Sequence, residues 1–337
     1  MRARVPLVHA PTPIVRSKAL SSMLGVELYI KRDDVTGGAE SGNKLRKLEF
    51  LLGDALEQRA TCVLTCGGTQ SNHARATAIA SATLGLRSVL FLRAGDGAGA
   101  GEHDGRRELV GNMLLDRLVG AEIRPVSPDE YRDRTRIMAD AAHVLTEAGE
   151  HPYVIHEGGS SGLGALGYVE AMREVRMQLD HGIAGGAAAF DLVAHACGSG
   201  GTAAGVVLGA GEYDVAPQAW AFAVCNDRRH FESEIFRIAA EARSLDPSLK
   251  REARLVVDDS AKGPAYAVMS EEQRAFLVRV ARSSGVLLDP VYSGKAMFGL
   301  AQAIARGAIP RGARVLFIHT GGLPGLLAQG PTFEGAL

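Results

Sequence analysis

The chain has 337 residues, 46% of them hydrophobic, which is enough for sizeable cores and too many for a disordered polypeptide. That length exceeds a typical single domain and predicts two domains in one chain. The formal net charge of −1 argues against nucleic acid or an anionic membrane surface as partner.

In chain order, residues 26–30 read as a strand. Ser41-Gly42-Asn43-Lys44 is a glycine turn opening an amphipathic helix, with Leu45, Leu48, Leu52 and Ala55 at helical spacing. Residues 62–66 form a second predicted strand, followed by Gly67-Gly68 and a helix from about Asn72. Another strand is expected at 88–92, a Gly- and Ala-rich surface loop at 95–105, helices near 107–118 and 129–148, and a strand at 153–155. A flexible joint at 182–186 precedes a strand at 192–194, the turn Gly198-Ser199-Gly200-Gly201-Thr202 and a small-residue helix. Buried-type strands follow at 220–224 and 315–318, with a further strand at 286–288. This alternation gives an α/β fold class with mainly parallel sheets and helices on both faces.

No apolar run reaches transmembrane length. The start, Met1-Arg2-Ala3-Arg4-Val5-Pro6, is basic without the apolar stretch of a signal peptide. Cys62, Cys66, Cys197 and Cys225 show no disulfide-framework spacing, so a reducing cytoplasm is expected. Cys62 and Cys66 lack a matching second pair and lie in an apolar strand, so no metal site is expected.

The turn from Gly198 to Thr202 follows a strand and opens a helix. Backbone N–H groups at a helix start point at an anion, and the helix dipole favours it. Glycine lets the main chain approach, and the Ser199 and Thr202 hydroxyls add donors. The turn is therefore a candidate phosphate site, with an ordinary tight turn as the alternative. Gly67-Gly68-Thr69-Gln70-Ser71-Asn72-His73 has four consecutive polar side chains before the helix, whereas capping needs only one. It is a candidate carboxylate site through Ser71 and main-chain N–H groups.

Lys44 begins a helix. A free lysine, with a pKa of about 10.4, must lose its proton before attacking an aldehyde. A helix start and partial burial both disfavour the ammonium, which ranks Lys44 above Lys31, Lys47 and Lys295. A plain surface lysine is the alternative. Tyr292 is a candidate acid, base or positioner, or simply a packed ring. His319-Thr320-Gly321-Gly322 follows a strand end, where ligands gather in open parallel sheets. A lysine with turns for a phosphate and a carboxylate suggests an enzyme joining an aldehyde cofactor to an amine, with pyridoxal 5'-phosphate (PLP) as the candidate.

These motifs, in this order, resemble the family of PLP enzymes containing D-cysteine desulfhydrase and 1-aminocyclopropane-1-carboxylate (ACC) deaminase. The resemblance runs from Pro11-Thr12-Pro13-Ile14 through Ile30-Lys31-Arg32-Asp33-Asp34, Gly42-Asn43-Lys44-Leu45-Arg46-Lys47 and Gln70-Ser71-Asn72-His73. It continues with Gly111-Asn112-Met113, Gly164-Ala165-Leu166-Gly167-Tyr168, the Gly198–Thr202 turn, Asp289-Pro290-Val291-Tyr292 and His319-Thr320-Gly321-Gly322. It implies a tryptophan-synthase-β-like fold of two domains with open, mostly parallel twisted sheets flanked by helices. Residues 1–50 and 159–337 would form the large cofactor-binding domain and 51–158 a small inserted one. Lys44 would carry the cofactor through a Schiff base. Gly198, Ser199, Gly200, Gly201 and Thr202 would cradle its phosphate, and Asn72 would lie near its ring. Ser71 would meet the substrate carboxylate or act near the α-carbon, with Gly68, Thr69, Asn72 and His73 around the substrate. Tyr292 and Tyr266 would flank the substrate. A homodimer is implied.

Ser293 and Thr320 resemble the hydroxyl pair of D-cysteine desulfhydrase, where ACC deaminases carry Glu and Leu, and His73 stands where they have Gln. A neutral hydroxyl near the pyridine nitrogen sustains a weaker electron sink than a carboxylate, which favours β-elimination over opening a cyclopropane. Ala76, the Ala267-Val268-Met269-Ser270 segment and the stretch from Gly37 to Ser41 depart from the family pattern. The expected reaction is therefore β-elimination from a small D-cysteine-like amino acid to pyruvate, ammonia and sulfide. L-cysteate with sulfite as leaving group, ACC deamination, and a related biosynthetic step stay open.

Overall fold

The computed structural model describes all residues except 1–2, 94–101, 104–105, 108, 187–188 and 336. Most of the loop expected at 95–105 therefore lies outside the described residues.

The larger sheet has the strand order Ile14–Arg16, Glu27–Lys31, Arg314–Ile318, Leu192–Cys197, Gln218–Ala223, Arg254–Asp258. Its neighbours run parallel except for the first pair, in which Ile14 faces Lys31. The central strand Leu192–Cys197 is buried along its whole length, as a strand covered on both faces must be. Alternation sorts the faces: Val193, Ala221 and Leu316 join one apolar core, while Ala194, Phe222 and Phe317 join the other.

The smaller sheet is wholly parallel, in the order Glu122–Val126, Arg87–Arg93, Cys62–Gly68, Pro152–Val154. All its strands fall between residues 62 and 154. The expected division at 50/51 lies inside the continuous helix Lys44–Glu57. Glu122–Val126 escaped the sequence reading because it is an edge strand, polar and carrying Pro125, which only an edge tolerates.

Three expected elements differ. Residues 286–288 are not a strand: the preceding helix Glu271–Ser284 closes on left-handed Gly285, and the Val286 N–H and Leu287 carbonyl bond to the Ser284 and His319 side chains rather than to a ladder. The helix expected over 129–148 is two, Pro128–Arg132 and Arg134–Glu147, broken at Asp133. The helix near 107–118 begins at Gly111, whose φ of +54° and tight seat beside Gln70 and the Pro324 carbonyl require glycine.

The lysine-bearing helix Lys44–Glu57 is held in two ways. It lies backbone to backbone on the helix Gly162–Asp180: a Cβ on Gly167 would come within 2.1 Å of the Arg46 carbonyl oxygen. Beneath it, buried Arg46 binds Asp33 through Nε and Nη2 at 2.8 Å each and reaches Glu174 at 3.0 Å. Lys31 also pairs with Glu174, and the Tyr168 hydroxyl donates to Asp33 at 2.7 Å. Two cations thus balance two anions, and every charge has hydrogen bonds, the condition for tolerating such a cluster in a core.

Candidate active site

A cavity of about 420 Å³ opens where the C-terminal ends of strands from both sheets meet, the place an open parallel sheet offers a ligand. Lys44, Gly68, Ser71, Asn72, His73, Gly198, Ser199, Gly200, Thr202, Tyr266, Tyr292 and Thr320 all line it. Three expected site residues do not: Thr69, Gly201 and Ser293.

Lys44 is the first residue of its helix. Gly42 has a φ of +129° and packs so closely on the Thr320 carbonyl that a Cβ would sit 3.0 Å away. Asn43 fastens the turn by donating its main-chain N–H to that carbonyl and its amide to the Thr202 hydroxyl, at 3.1 and 3.0 Å. The Lys44 ammonium lies 5.8 Å from the centre of the Tyr292 ring and donates to Asn43 Oδ1 at 3.3 Å. Enclosure by protein lowers its pKa to about 8, against the opposing pull of Asp289.

The turn at 198–202 leads into the helix Gly201–Glu212, whose start has no side-chain cap. Gly200 has a φ of +83°. Ser160 and Ser199 hydroxyls meet at 2.8 Å, and the Gly201 N–H donates to Ser160 at 3.3 Å. A Cβ on Gly201 would stand 2.8 Å from Ser160 Oγ and 2.9 Å from Lys47 Nζ. Lys47 is buried with its ammonium on the Gly158 carbonyl at 3.1 Å, and no carboxylate pairs with it among the described residues. Burial and the nearby Lys44 hold its pKa well below the ordinary lysine value. Uncapped N–H groups, hydroxyls and the buried Lys47 amine, whose charged form an anion would restore, make a donor set suited to a phosphate dianion. Ser160 and Lys47 were not legible for this place in the sequence: only the fold turns them toward the 198–202 turn.

At the other wall, Ser71 caps the helix Asn72–Thr83 by accepting the Ala74 N–H at 3.1 Å. Gly67 makes room for it, since a Cβ there would fall 2.4 Å from Ser71 Oγ. The Asn112 amide donates to Asn72 Oδ1 at 3.0 Å and to the Gln70 carbonyl at 2.8 Å, which fixes the Asn72 side chain. His73 is buried and neutral, its pKa pushed well below the usual value by desolvation. The Thr65 hydroxyl donates to the Ile155 carbonyl, so its oxygen accepts from His73 Nε2 at 2.9 Å, which assigns that tautomer.

Tyr292 precedes the helix Ser293–Ala305, and its hydroxyl meets that of Tyr266 at 2.6 Å. Buried Asp289 organises this corner: it accepts the N–H groups of Val291, Tyr292 and Ser293 at 2.7–2.9 Å. The Ser293 hydroxyl donates to Asp289 at 2.5 Å and accepts the Asp289 N–H at 2.9 Å, so it is spent inside this cap. Thr320 lines the cavity, and no described residue hydrogen-bonds its hydroxyl.

The cavity's outer wall is built from residues that no local motif marks. The Arg93 guanidinium lies 4.8 Å from the Tyr131 ring centre and 5.9 Å from that of Tyr266. Tyr131 donates to Glu157 at 2.8 Å, and Arg134 pairs with Glu157 at 3.0 Å. These residues are scattered over the sequence and carry no local motif.

Residues 5–321 match the model of the family described as pyridoxal-phosphate dependent enzyme. The chain is 44% identical over 329 residues to the bifunctional mitochondrial D-cysteine desulfhydrase/1-aminocyclopropane-1-carboxylate deaminase of Arabidopsis thaliana, covering 95% of this chain and 78% of that one. It is 40% identical to a D-cysteine desulfhydrase of Yersinia pestis, covering 97% and 96% of the two chains. The crystal structure of an ACC deaminase homologue superposes with a TM-score of 0.85 at 35% identity, over 100% of this chain and 97% of that one.

Proposed function

Because this chain belongs to the family of pyridoxal-phosphate dependent enzymes, we propose that it is a lyase that eliminates the β-substituent of a small D-cysteine-like amino acid, giving pyruvate, ammonia and sulfide. The observation that carries this reading is the Lys44 amine, with a pKa lowered to about 8, standing between an anion cradle and a carboxylate-sized turn. When bound, the cofactor supplies an aldehyde that joins an amine covalently and a ring that withdraws electrons from the α-carbon.

The chain's own residues divide the remaining work. The 198–202 turn, Ser160 and Lys47 would hold the phosphate, Asn72 would lie by the ring, and Thr320 would meet the ring nitrogen. Ser71 accepts the Ala74 N–H, which leaves its proton for the substrate carboxylate beside the open N–H groups of Asn72 and His73. The Lys44 amine, whose charged form burial disfavours, takes the α-proton. Tyr292, whose burial pushes its phenol well above the ordinary value, stays protonated and donates toward the leaving group. With Ser293 spent on Asp289, the preference for elimination over ring opening rests on the Thr320 hydroxyl.

A second reading is ACC deaminase, favoured by the double name of the 44% identical relative. L-cysteate, losing sulfite, is a third substrate to test because Arg93 and Arg134 stand at the outer wall. Offering D-cysteine, L-cysteate and ACC side by side decides among them. Pyruvate fastest from D-cysteine supports the proposal, and faster α-ketobutyrate from ACC replaces it. A colourless protein releasing no keto acid ends all three.

A homodimer belongs to this reading. The helices Gly111–Leu118 and Leu323–Leu327 pack together and leave Leu114, Leu118, Leu323 and Leu327 exposed. A cytoplasmic setting is supported by four unbridged cysteines. Among the described residues no helix is long and apolar enough to cross a membrane.

A further inference from the structure

Lys295 is completely buried, and no carboxylate pairs with it among the described residues. Its ammonium instead donates to three main-chain carbonyls: Lys262 at 2.7 Å, Ala265 at 2.8 Å and, more weakly, Val224 at 3.4 Å. Carbonyl dipoles converging on one positive charge are the arrangement that binds a bare monovalent cation. Here the cation is covalently part of the chain. Desolvation lowers its pKa to about 8, against the opposing pull of Cys225 and Asp289, and the three acceptors keep the charged form in place.

The acceptors' positions give the arrangement its meaning. Lys262 and Ala265 bracket the turn at Gly263, whose φ of +74° brings it against the Lys295 stem. Tyr266 follows Ala265 directly. Val224 leaves the strand Gln218–Ala223 and precedes Cys225 and Asn226, which line the cavity. Lys295 itself lies three residues after Tyr292, in the first turn of the helix Ser293–Ala305. Gln273 ties down the Ala261 carbonyl at 2.7 Å, and a single bridge joins Ala265 to Val268.

We propose that Lys295 is a positioning residue: its ammonium fills a three-carbonyl cation site and holds the segment 262–266 so that the Tyr266 hydroxyl meets that of Tyr292. The functional weight of this placement rests on the reading of the tyrosine pair as flanking the substrate. The placement itself does not. Without the ammonium, the Lys262 and Val224 carbonyls lose the donor they share and the Ala265 carbonyl keeps only the Val268 N–H at 3.2 Å, so the three stretches of main chain are no longer tied at one point and the segment opens toward water.

The test compares Lys295→Ala, Lys295→Met and Lys295→Arg in the cofactor-loaded protein. Hydrogen exchange at 262–268 is read first, because it needs no substrate. Exchange should quicken about tenfold or more in Lys295→Ala and Lys295→Met. Ammonium, methylammonium or potassium ions should slow it again in Lys295→Ala, where the side chain's space is free. They should not do so in Lys295→Met, where that space is filled by an uncharged chain. Turnover of the best substrate should fall about tenfold in kcat and follow the same pattern of rescue, with Lys295→Arg intermediate. Wild-type exchange in Lys295→Met, or exchange in Lys295→Ala that no cation slows, overturns the proposal. Should Lys295→Ala fail to fold, exchange in Lys295→Met alone decides. Should the wild type turn over none of the substrates, the functional reading fails while the exchange result still judges this one.

Discussion

Tyr266 and Tyr292 are joined hydroxyl to hydroxyl at 2.6 Å, their rings edge-on with centres 6.2 Å apart. With Tyr266 donating to Tyr292, the Tyr292 proton points to a substrate atom in the proposed reaction. Tyr292→Phe should lower kcat about 100-fold if its proton is transferred. Tyr266→Phe, which removes only the partner, should cost about tenfold. The double variant should match Tyr292→Phe alone, because both changes break one unit. Steady-state kinetics on the three variants measures this, and multiplicative losses would show two independent tyrosines.

Lys44 has its pKa lowered to about 8 from 10.5, so its reactive neutral form grows about tenfold for each unit that the pH rises toward 8 and levels off above it. The rate at which cofactor-free protein takes up PLP should follow that curve. A rate still climbing beyond pH 10 would mean an unperturbed lysine. Lys44→Ala should purify colourless and show no turnover without added amine.

Gly201→Ala places a methyl group 2.8 Å from Ser160 Oγ and 2.9 Å from Lys47 Nζ. PLP affinity should fall at least tenfold by fluorescence titration, with the circular dichroism spectrum unchanged. Undiminished affinity would move the phosphate elsewhere.

Asp116, fully buried in the helix Gly111–Leu118, has no hydrogen-bond partner for either carboxylate oxygen among the described residues. Burial raises its pKa to about 7, with Arg75 pulling the other way. The folded pKa lies above the unfolded value, so folding takes up a proton between about pH 4 and 7 and stability from this group falls as pH rises through that window. Asp116→Asn should therefore melt higher than wild type at pH 8, by a difference on the order of a few kcal/mol at most. At pH 4 the two should nearly coincide. A pH-independent gap would place the effect in packing instead.

Local chemistry explains which parts of the site the sequence could reveal. The 198–202 turn combines glycines, a directly preceding apolar strand and a following helix, and the Asn43-Lys44 turn combines Gly42 with a following helix, so backbone geometry is written into adjacent residues. The central strands were legible because burial on both faces demands continuous apolar runs. Edge strands such as Arg254–Asp258 lack that demand, and residues 286–288 show the converse, an apolar run with no neighbour to pair with. Partnerships across long separations left no local trace: Lys47 beside Gly201, Asn112 on Asn72, and Arg46 with Asp33 and Glu174. Ser293 illustrates a further limit. Its place in the chain was legible, but not that Asp289 absorbs both ends of its hydroxyl.

The contact between Gly167 and the Arg46 carbonyl has a mechanical consequence. With no side chain between two main chains, the lysine-bearing helix has nothing to roll on and can only separate from its neighbour or stay put. It acts as the fixed jaw of a vice. Clearance for a ligand to enter or leave is easier to find at the outer wall, where Tyr131 and Arg134 meet Glu157 through side chains that can change rotamer. Attempts to retune the cavity should begin there and leave the glycine seam alone.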